Sequence, residues 1–60
     1  RSCVANQDLQ KGHIIKAADI DFLRPCPNGS VQPYEFEKII GMKLNIDIEE
    51  KESFLWKDLS

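Results

Sequence analysis

The stretch NQDLQKGHIIKAADI at residues 6–20 decides the fold, because its pattern returns 39 positions later as NIDIEEKESFLWKDL at residues 45–59. The matched positions are Asn6 and Asn45, Asp8-Leu9 and Asp47-Ile48, Ile15 and Phe54, and Asp19-Ile20 and Asp58-Leu59. Each copy predicts a strand, a turn, a short apolar return strand and one helical turn that ends in Asp and an aliphatic residue. Neither copy can bury its apolar face alone, so we expect the two to interlock around one core with a pseudo-two-fold relation.

Two further strands and one helix are predicted from local patterns. Residues 3–5 predict a short strand, and the alternation of apolar and polar residues over 42–48 predicts a period-two strand with its even positions buried. Pro33 and Gly41 suit the start and stop of a helix over 33–40, buried through Phe36, Ile39 and Ile40. Residues between Arg24 and Gln32 predict an exposed loop. The predicted core is Val4, Leu9, Ile15, Ile20, Phe36, Ile40, Leu44, Ile46, Ile48, Phe54 and Leu59.

Composition limits the possible functions of the chain. Sixty residues suffice for one domain, and 42% hydrophobic with 30% charged residues is typical of a folded module. The eight Lys and Arg are scattered and the net charge is -2, so nucleic acid is not an expected partner. No apolar run approaches the length of a membrane span. The chain opens at Arg1 without a Met or a signal peptide, which is expected of a domain taken from a longer protein.

The titratable side chains do not form a recognisable catalytic or metal motif. Cys3 and Cys26 lack zinc-ligand spacing; a disulfide is possible, but we favour two reduced thiols in a cytoplasmic protein, with Cys3 packed in a strand. His13 follows Gly12 in a predicted turn and is expected to be an exposed turn histidine. The acidic run Asp47, Glu49, Glu50 and Glu52 predicts a solvated surface. Trp56 could either cover the core rim or contact a neighbouring domain. An independent enzyme is therefore not predicted.

The ordered motifs resemble those of a known family. They are Ser2-Cys3-Val4-Ala5, Asp8-Leu9-x-x-Gly12, Ile15-x-x-x-Asp19-Ile20, Arg24-Pro25, Ile40-Gly41-x-Lys43, Asp47-Ile48 and Leu55-x-x-x-Leu59. Together they look like the antifreeze-like, or SAF, domain at the C-terminus of bacterial sialic acid synthases, and the resemblance spans residues 1–60. It implies a mostly β, β-clip fold of short strands and single helical turns.

The resemblance also implies a role in a larger enzyme. In such synthases a (β/α)₈ barrel binds phosphoenolpyruvate and a divalent metal, Mn or Mg, and condenses phosphoenolpyruvate with an N-acyl mannosamine-type sugar. The antifreeze-like domain caps the active site of the partner subunit in a homodimer, and an arginine of an Arg-Pro pair reaches the N-acyl group. By position this arginine is Arg24, with Asn28 and Gly29 as secondary contacts. No cofactor is expected in the chain itself.

Three features leave alternatives open. The turn after Arg24-Pro25 departs from the Gly-rich turn of the family, so the accepted nonulosonic acid is not fixed by the sequence. Related modules occur in flagellar chaperones and sugar-acid dehydratases, where the role is binding. Type III antifreeze proteins of fish share the fold and resemble residues 2–7, but hydrated charges after the first strand argue against ice adsorption. Those charges are Asp8, Lys11, His13, Lys16 and Asp19.

Overall fold

Short elements and isolated strand bridges build the domain, and the computed structural model describes all of residues 1–60. The elements are strand β1 at Ser2–Ala5, strand β2 at Ile20–Leu23, helix α1 at Phe36–Ile39, and 3-10 turns at Ala17–Asp19, Pro33–Glu35 and Trp56–Asp58. β1 and β2 form an antiparallel pair in which Cys3 lies opposite Phe22. The structure contains no helix with the length and apolarity needed to cross a membrane. The mostly β fold predicted from the sequence is confirmed.

The two copies interlock through reciprocal hydrogen bonds. At the centre, equivalent residues pair with each other: the Leu9 amide donates to the Ile48 carbonyl at 2.8 Å and the Ile48 amide donates to the Leu9 carbonyl at 2.9 Å. The Lys11 amide donates to the Asp47 carboxylate at 2.7 Å. The equivalent Glu50 amide donates to the Asp8 carboxylate at 2.8 Å. Each aspartate therefore holds the turn of the other copy.

The same reciprocity extends to the strands beside the turns. The Ala5 amide donates to the Glu52 carbonyl at 2.9 Å, and the equivalent bond joins the Leu44 amide to the His13 carbonyl at 3.0 Å. A two-fold axis between the copies generates such matched pairs of contacts. The predicted pseudo-two-fold arrangement is thus confirmed by the backbone hydrogen bonds.

The core lies between the two copies and includes four residues outside the predicted core list, of which Ile39 and Cys3 were predicted to be packed in the helix and the first strand. Eight predicted members are buried: Val4, Leu9, Ile15, Ile20, Leu44, Ile48, Phe54 and Leu59. Cys3, Ala5, Val31 and Ile39 are buried as well. Val31 enters the core because its amide donates to Phe54 and its carbonyl accepts from Cys3, each at 2.8 to 2.9 Å. The predicted exposed loop therefore ends before Ser30. The prediction was wrong for Ser30 and Val31, which are buried.

The predicted strand over residues 42–48 is wrong as a continuous element. Leu44 bridges to Leu59, whereas Ile48 bridges to Leu9. Because the two bridges lead to different partners, the chain bends at residues 45–46, and Ile46 is left 42% exposed. The strict alternation of the sequence thus misplaces Ile46 in the core.

The predicted helix over residues 33–40 is shorter than expected. A 3-10 turn at Pro33–Glu35 leads into the single α turn of α1, and Ile40 is already extended with ψ of 125°. Ile40 is consequently 40% exposed, which corrects its place in the predicted core. Ile39 is fully buried, and Phe36 is partly buried against the core. Gly41 adopts φ of 92°, in agreement with the predicted helix stop.

Candidate functional site

Residues 21–29 form one continuous exposed segment between the two copies, here called the 21–29 segment. It leaves the core after Ile20, runs along β2, turns through Arg24-Pro25-Cys26-Pro27-Asn28-Gly29 and re-enters the core at Ser30. The prolines and Gly29 explain why no regular strand continues beyond Leu23. The segment contains all three residues that the sequence analysis assigned to sugar binding.

Hydrogen bonds to buried or partly buried residues hold the 21–29 segment in place. The Ser2 hydroxyl, fully buried, donates to the Pro25 carbonyl at 3.0 Å. The Ser30 hydroxyl donates to the Pro27 carbonyl at 2.6 Å. The Trp56 amide donates to the Gly29 carbonyl at 3.0 Å. Three carbonyls of the loop are therefore fixed, so the side chains that project from it start from a defined backbone.

Arg24 is exposed at the point where β2 ends and the turn begins. The structure has two side-chain ion pairs, His13 with Asp19 and Lys38 with Glu35, and Arg24 takes part in neither. Its peptide bond to Pro25 is cis. The guanidinium therefore has hydrogen-bond donors that no acid of this chain uses in an ion pair.

Asn28 and Gly29 lie at the tip of the same turn and are both exposed. Gly29 has φ of 80°, a backbone conformation that residues with a side chain rarely adopt. No atom beyond the two adjacent residues lies within 4 Å of the position that a Cβ would take at Gly29. The glycine is therefore required by backbone conformation and not by lack of space.

Cys26 is an exposed thiol in the turn, and its environment was not predicted from the sequence. Gln32 donates from Nε2 to Cys26 Sγ at 2.9 Å, and Ser30 Oγ lies 3.6 Å from the same sulfur. These hydrogen bonds, from Gln32 and then Ser30, lower the pKa of the Cys26 thiol. Cys3, by contrast, is buried in β1, and both thiols are free, as the sequence analysis favoured.

The predicted exposed turn histidine is corrected by the structure. His13 Nε2 lies 2.7 Å from the Asp19 carboxylate, and the Asp19 side chain is only 7% exposed. The Lys16 amide also donates to Asp19, at 2.9 Å. Burial favours the neutral carboxyl, but the hydrogen bonds from His13 and Lys16 outweigh it and hold the pKa of Asp19 below its usual value.

Several predicted surface residues have structural roles. Asp47 binds the Lys11 amide, and Glu52 accepts from the Glu49 amide at 2.7 Å, so part of the acidic run closes turns while remaining exposed. No group of three His, Cys, Asp or Glu side chains is arranged to hold a metal ion. Trp56 is partly buried against the core. Of the five charges weighed against ice adsorption, Asp19 is buried and is therefore not a hydrated surface charge.

Comparison with known families gives one match. The model of the SAF domain matches residues 1–60, which is the whole of this chain. No curated protein matches it significantly.

Proposed function

The chain belongs to the SAF domain family, and on that premise we propose that it caps the sugar-binding active site of a nonulosonic acid synthase. A SAF domain of this size is a small non-catalytic module. In the proposed assembly it lies at the C-terminus of a cytoplasmic synthase whose (β/α)₈ barrel, with its divalent metal, performs the condensation. The module covers the site of the partner subunit in a homodimer.

One observation carries this proposal: Arg24 is an exposed guanidinium without an ion pair, on a turn whose backbone is anchored to buried residues. The anchors at Pro25, Pro27 and Gly29 reduce the conformational freedom that the turn would lose when a ligand binds. The turn is therefore suited to present Arg24 to another surface.

The chemistry of Arg24 fits the N-acyl group of an amino sugar. A guanidinium donates several hydrogen bonds in a fixed plane, and it stays charged at any physiological pH. It can therefore bind an acyl carbonyl without transferring a proton, which is the role expected of a residue outside the reacting centre. Asn28, at the tip of the same turn, offers an amide that can both donate and accept.

The experiment is a steady-state comparison in the complete synthase that carries this domain. Arg24→Ala should raise KM for the amino sugar about 10- to 150-fold, the equivalent of a lost hydrogen bond to a charged group, about 1.5–3 kcal/mol. KM for phosphoenolpyruvate should change little, because the acyl group is remote from it. Arg24→Lys keeps the charge but loses the planar fork, so it should recover only part of the effect.

Lys11→Ala is the matched control, since it removes an exposed cation from the turn of the first copy without touching the 21–29 segment. Both KM values should stay near wild type in this variant. Equal changes in the two KM values for Arg24→Ala would contradict the assignment of Arg24. A complete polypeptide that lacks a barrel would instead favour a binding module of the chaperone or dehydratase type.

A further inference from the structure

β2 has a free edge. Cys3 uses its backbone groups on the side away from β2, because its amide donates to Val31 at 2.8 Å and its carbonyl accepts from Phe54 at 2.9 Å. Phe22 lies opposite Cys3, so this is a non-hydrogen-bonded pair of the antiparallel ladder and the amide and carbonyl of Phe22 point away from β1. No second strand lies beside β2, and Phe22 has no other backbone partner.

The side chains along this edge are also exposed. Phe22 is 39% and Leu23 is 38% exposed, although both are large and apolar. The Phe22 ring is not loose: it contacts Phe36 edge to face, with ring centroids 5.9 Å apart. Edge strands are commonly protected by shortness, by charged side chains, by proline or by a bulge. β2 is short and carries Asp21, but it has no lysine, proline or bulge, and the outward-facing backbone groups of Phe22 are not covered. An open, apolar edge with a fixed aromatic side chain is typical of a strand-pairing surface.

The size of the edge indicates what kind of partner can use it. β2 has four residues, whereas a stable interface between free proteins involves about 20–30 residues on each side. A second free copy, joined through β2 alone, would therefore not form a stable dimer. A segment tethered in the same assembly has a high effective concentration and needs far less buried area.

From these observations we infer that the free edge of β2 binds an extended, apolar segment of the catalytic polypeptide as an added strand. The segment hydrogen-bonds to the amide and carbonyl of Phe22 and covers the side chains of Phe22 and Leu23. Arg24 follows directly, so pairing along β2 would also set the position of the guanidinium over the site. The inference rests on the proposed function for the identity of the assembly, but not for the existence of the free edge.

Hydrogen exchange at the Phe22 amide tests this inference. In the 60-residue chain this amide should exchange freely, because it has no acceptor. In the complete synthase dimer it should exchange at least about 100-fold more slowly, as expected of a strand-paired amide. Fast exchange in both samples would overturn the inference. Protection that appears in the 60-residue chain as it dimerises, followed by sedimentation equilibrium, would also overturn it, since the partner would then be a second copy.

A pair of variants separates strand pairing from simple apolar contact. Phe22→Pro and Phe22→Ala both remove the ring, but only Phe22→Pro removes the outward amide, and proline is tolerated at an edge position whose N–H faces outward. Segment amides of the catalytic polypeptide that are protected in the wild type should exchange faster in Phe22→Pro than in Phe22→Ala. Equal exchange in the two variants would contradict strand pairing. Similar unfolding midpoints for both variants of the 60-residue chain provide the folding control.

Docking and sugar binding can fail separately. Arg24→Ala should leave the Phe22 amide protected in the assembly, because it removes no group of the β2 edge. Protection together with an unchanged KM for the amino sugar supports docking and contradicts the sugar contact. A raised KM without protection supports the sugar contact and contradicts docking.

Discussion

The two copies follow the same backbone path with different local means. In the first copy the turn contains Gly12 at φ of 92°, whereas the second copy places Lys51 at φ of 72° in the equivalent position. In the first copy Asp19 is buried and forms a hydrogen bond with His13. The equivalent Asp58 is half-buried, and its side chain accepts no hydrogen bond. The backbone bonds exchanged between the copies are common to both. These shared bonds, and not the local side chains, therefore define the path.

The copies also differ in which of them responds to pH. Cys3, in the strand that precedes the first copy, corresponds to Met42, which precedes the second. Burial, followed by the negative charge of Glu35, raises the pKa of the Cys3 thiol to about 11. Asp19 belongs to the first copy. The titratable groups with perturbed pKa values in the buried part of the fold are thus on one side of the pseudo-two-fold axis.

The largest expected effect is the same in both copies. Ile15 and Phe54 are equivalent and almost fully buried, so Ile15→Ala and Phe54→Ala should each lower the free energy of unfolding by about 3–4 kcal/mol in urea titrations. Ile46→Ala, at an exposed apolar position, should cost less than about 1 kcal/mol. A tolerated substitution at either Ile15 or Phe54 would show that the copies do not share the core equally.

The next largest effect should come from Cys3, which has no titratable counterpart at the equivalent position, Met42. The folded-state pKa of Cys3 lies above its ordinary 9.0, so its contribution to stability is complete below pH 9 and is lost as pH rises toward 11. The loss should approach roughly 3 kcal/mol, since two pKa units correspond to about that free energy. Unfolding titrations from pH 8 to 11 should show a fall that is absent in Cys3→Ala. The same fall should persist in Cys26→Ala, and its disappearance there would contradict the assignment.

Asp19 and Asp58 provide the third comparison. Asp19→Asn should cost about 2 kcal/mol at pH 7, because it removes charged hydrogen bonds with His13 and the Lys16 amide, while Asp58→Asn should cost about 0.5 kcal/mol or less. The lowered pKa of Asp19 means that its contribution is present above pH 4 and is lost as pH falls below that value. Chemical unfolding at pH 7 and pH 3 measures both effects. Equal losses in the two variants would remove the distinction between the copies.

The smallest effect concerns the two turns. Lys51→Gly should stabilise the domain by about 0.5–1 kcal/mol, because it relieves a positive φ at a residue with a side chain. Gly12→Lys should destabilise it by a similar amount. Thermal unfolding of the two single variants and of the exchanged pair measures the difference. Opposite signs would show that side-chain contacts, and not backbone conformation, govern these turns.

The spacing of the repeat was sufficient to predict how the copies interlock. Asp8 and Asp47 occupy equivalent positions, and their reciprocal bonds follow from a two-fold relation. The alternation around Ile46 failed because strand patterns describe one continuous partner, and here the partner changes between Leu44 and Ile48. The prediction that Ile40 is buried was wrong because the helix ends at Ile39, one residue earlier than the pattern indicated.

Less of the candidate site was predictable. The Arg24-Pro25 pair and the glycine of the turn can be read from the sequence, but the anchors from Ser2 and Trp56 join residues far apart in the chain. The bond between His13 and Asp19 spans six positions across a turn, a separation that no helical or strand period predicts. The role of Arg24 as a sugar ligand remains a prediction for kinetics to test.

Because of the paired aspartates, a turn in each half is closed by a hydrogen bond to a side chain of the other half. Asp8 accepts a hydrogen bond from a turn in the C-terminal half, and Asp47 accepts one from a turn in the N-terminal half. A protease that cut the exposed loop between Arg24 and Gly29 would sever the covalent connection but leave both of these bonds in place. The two fragments would therefore be expected to remain associated and to exchange with intact chains only after both had unfolded.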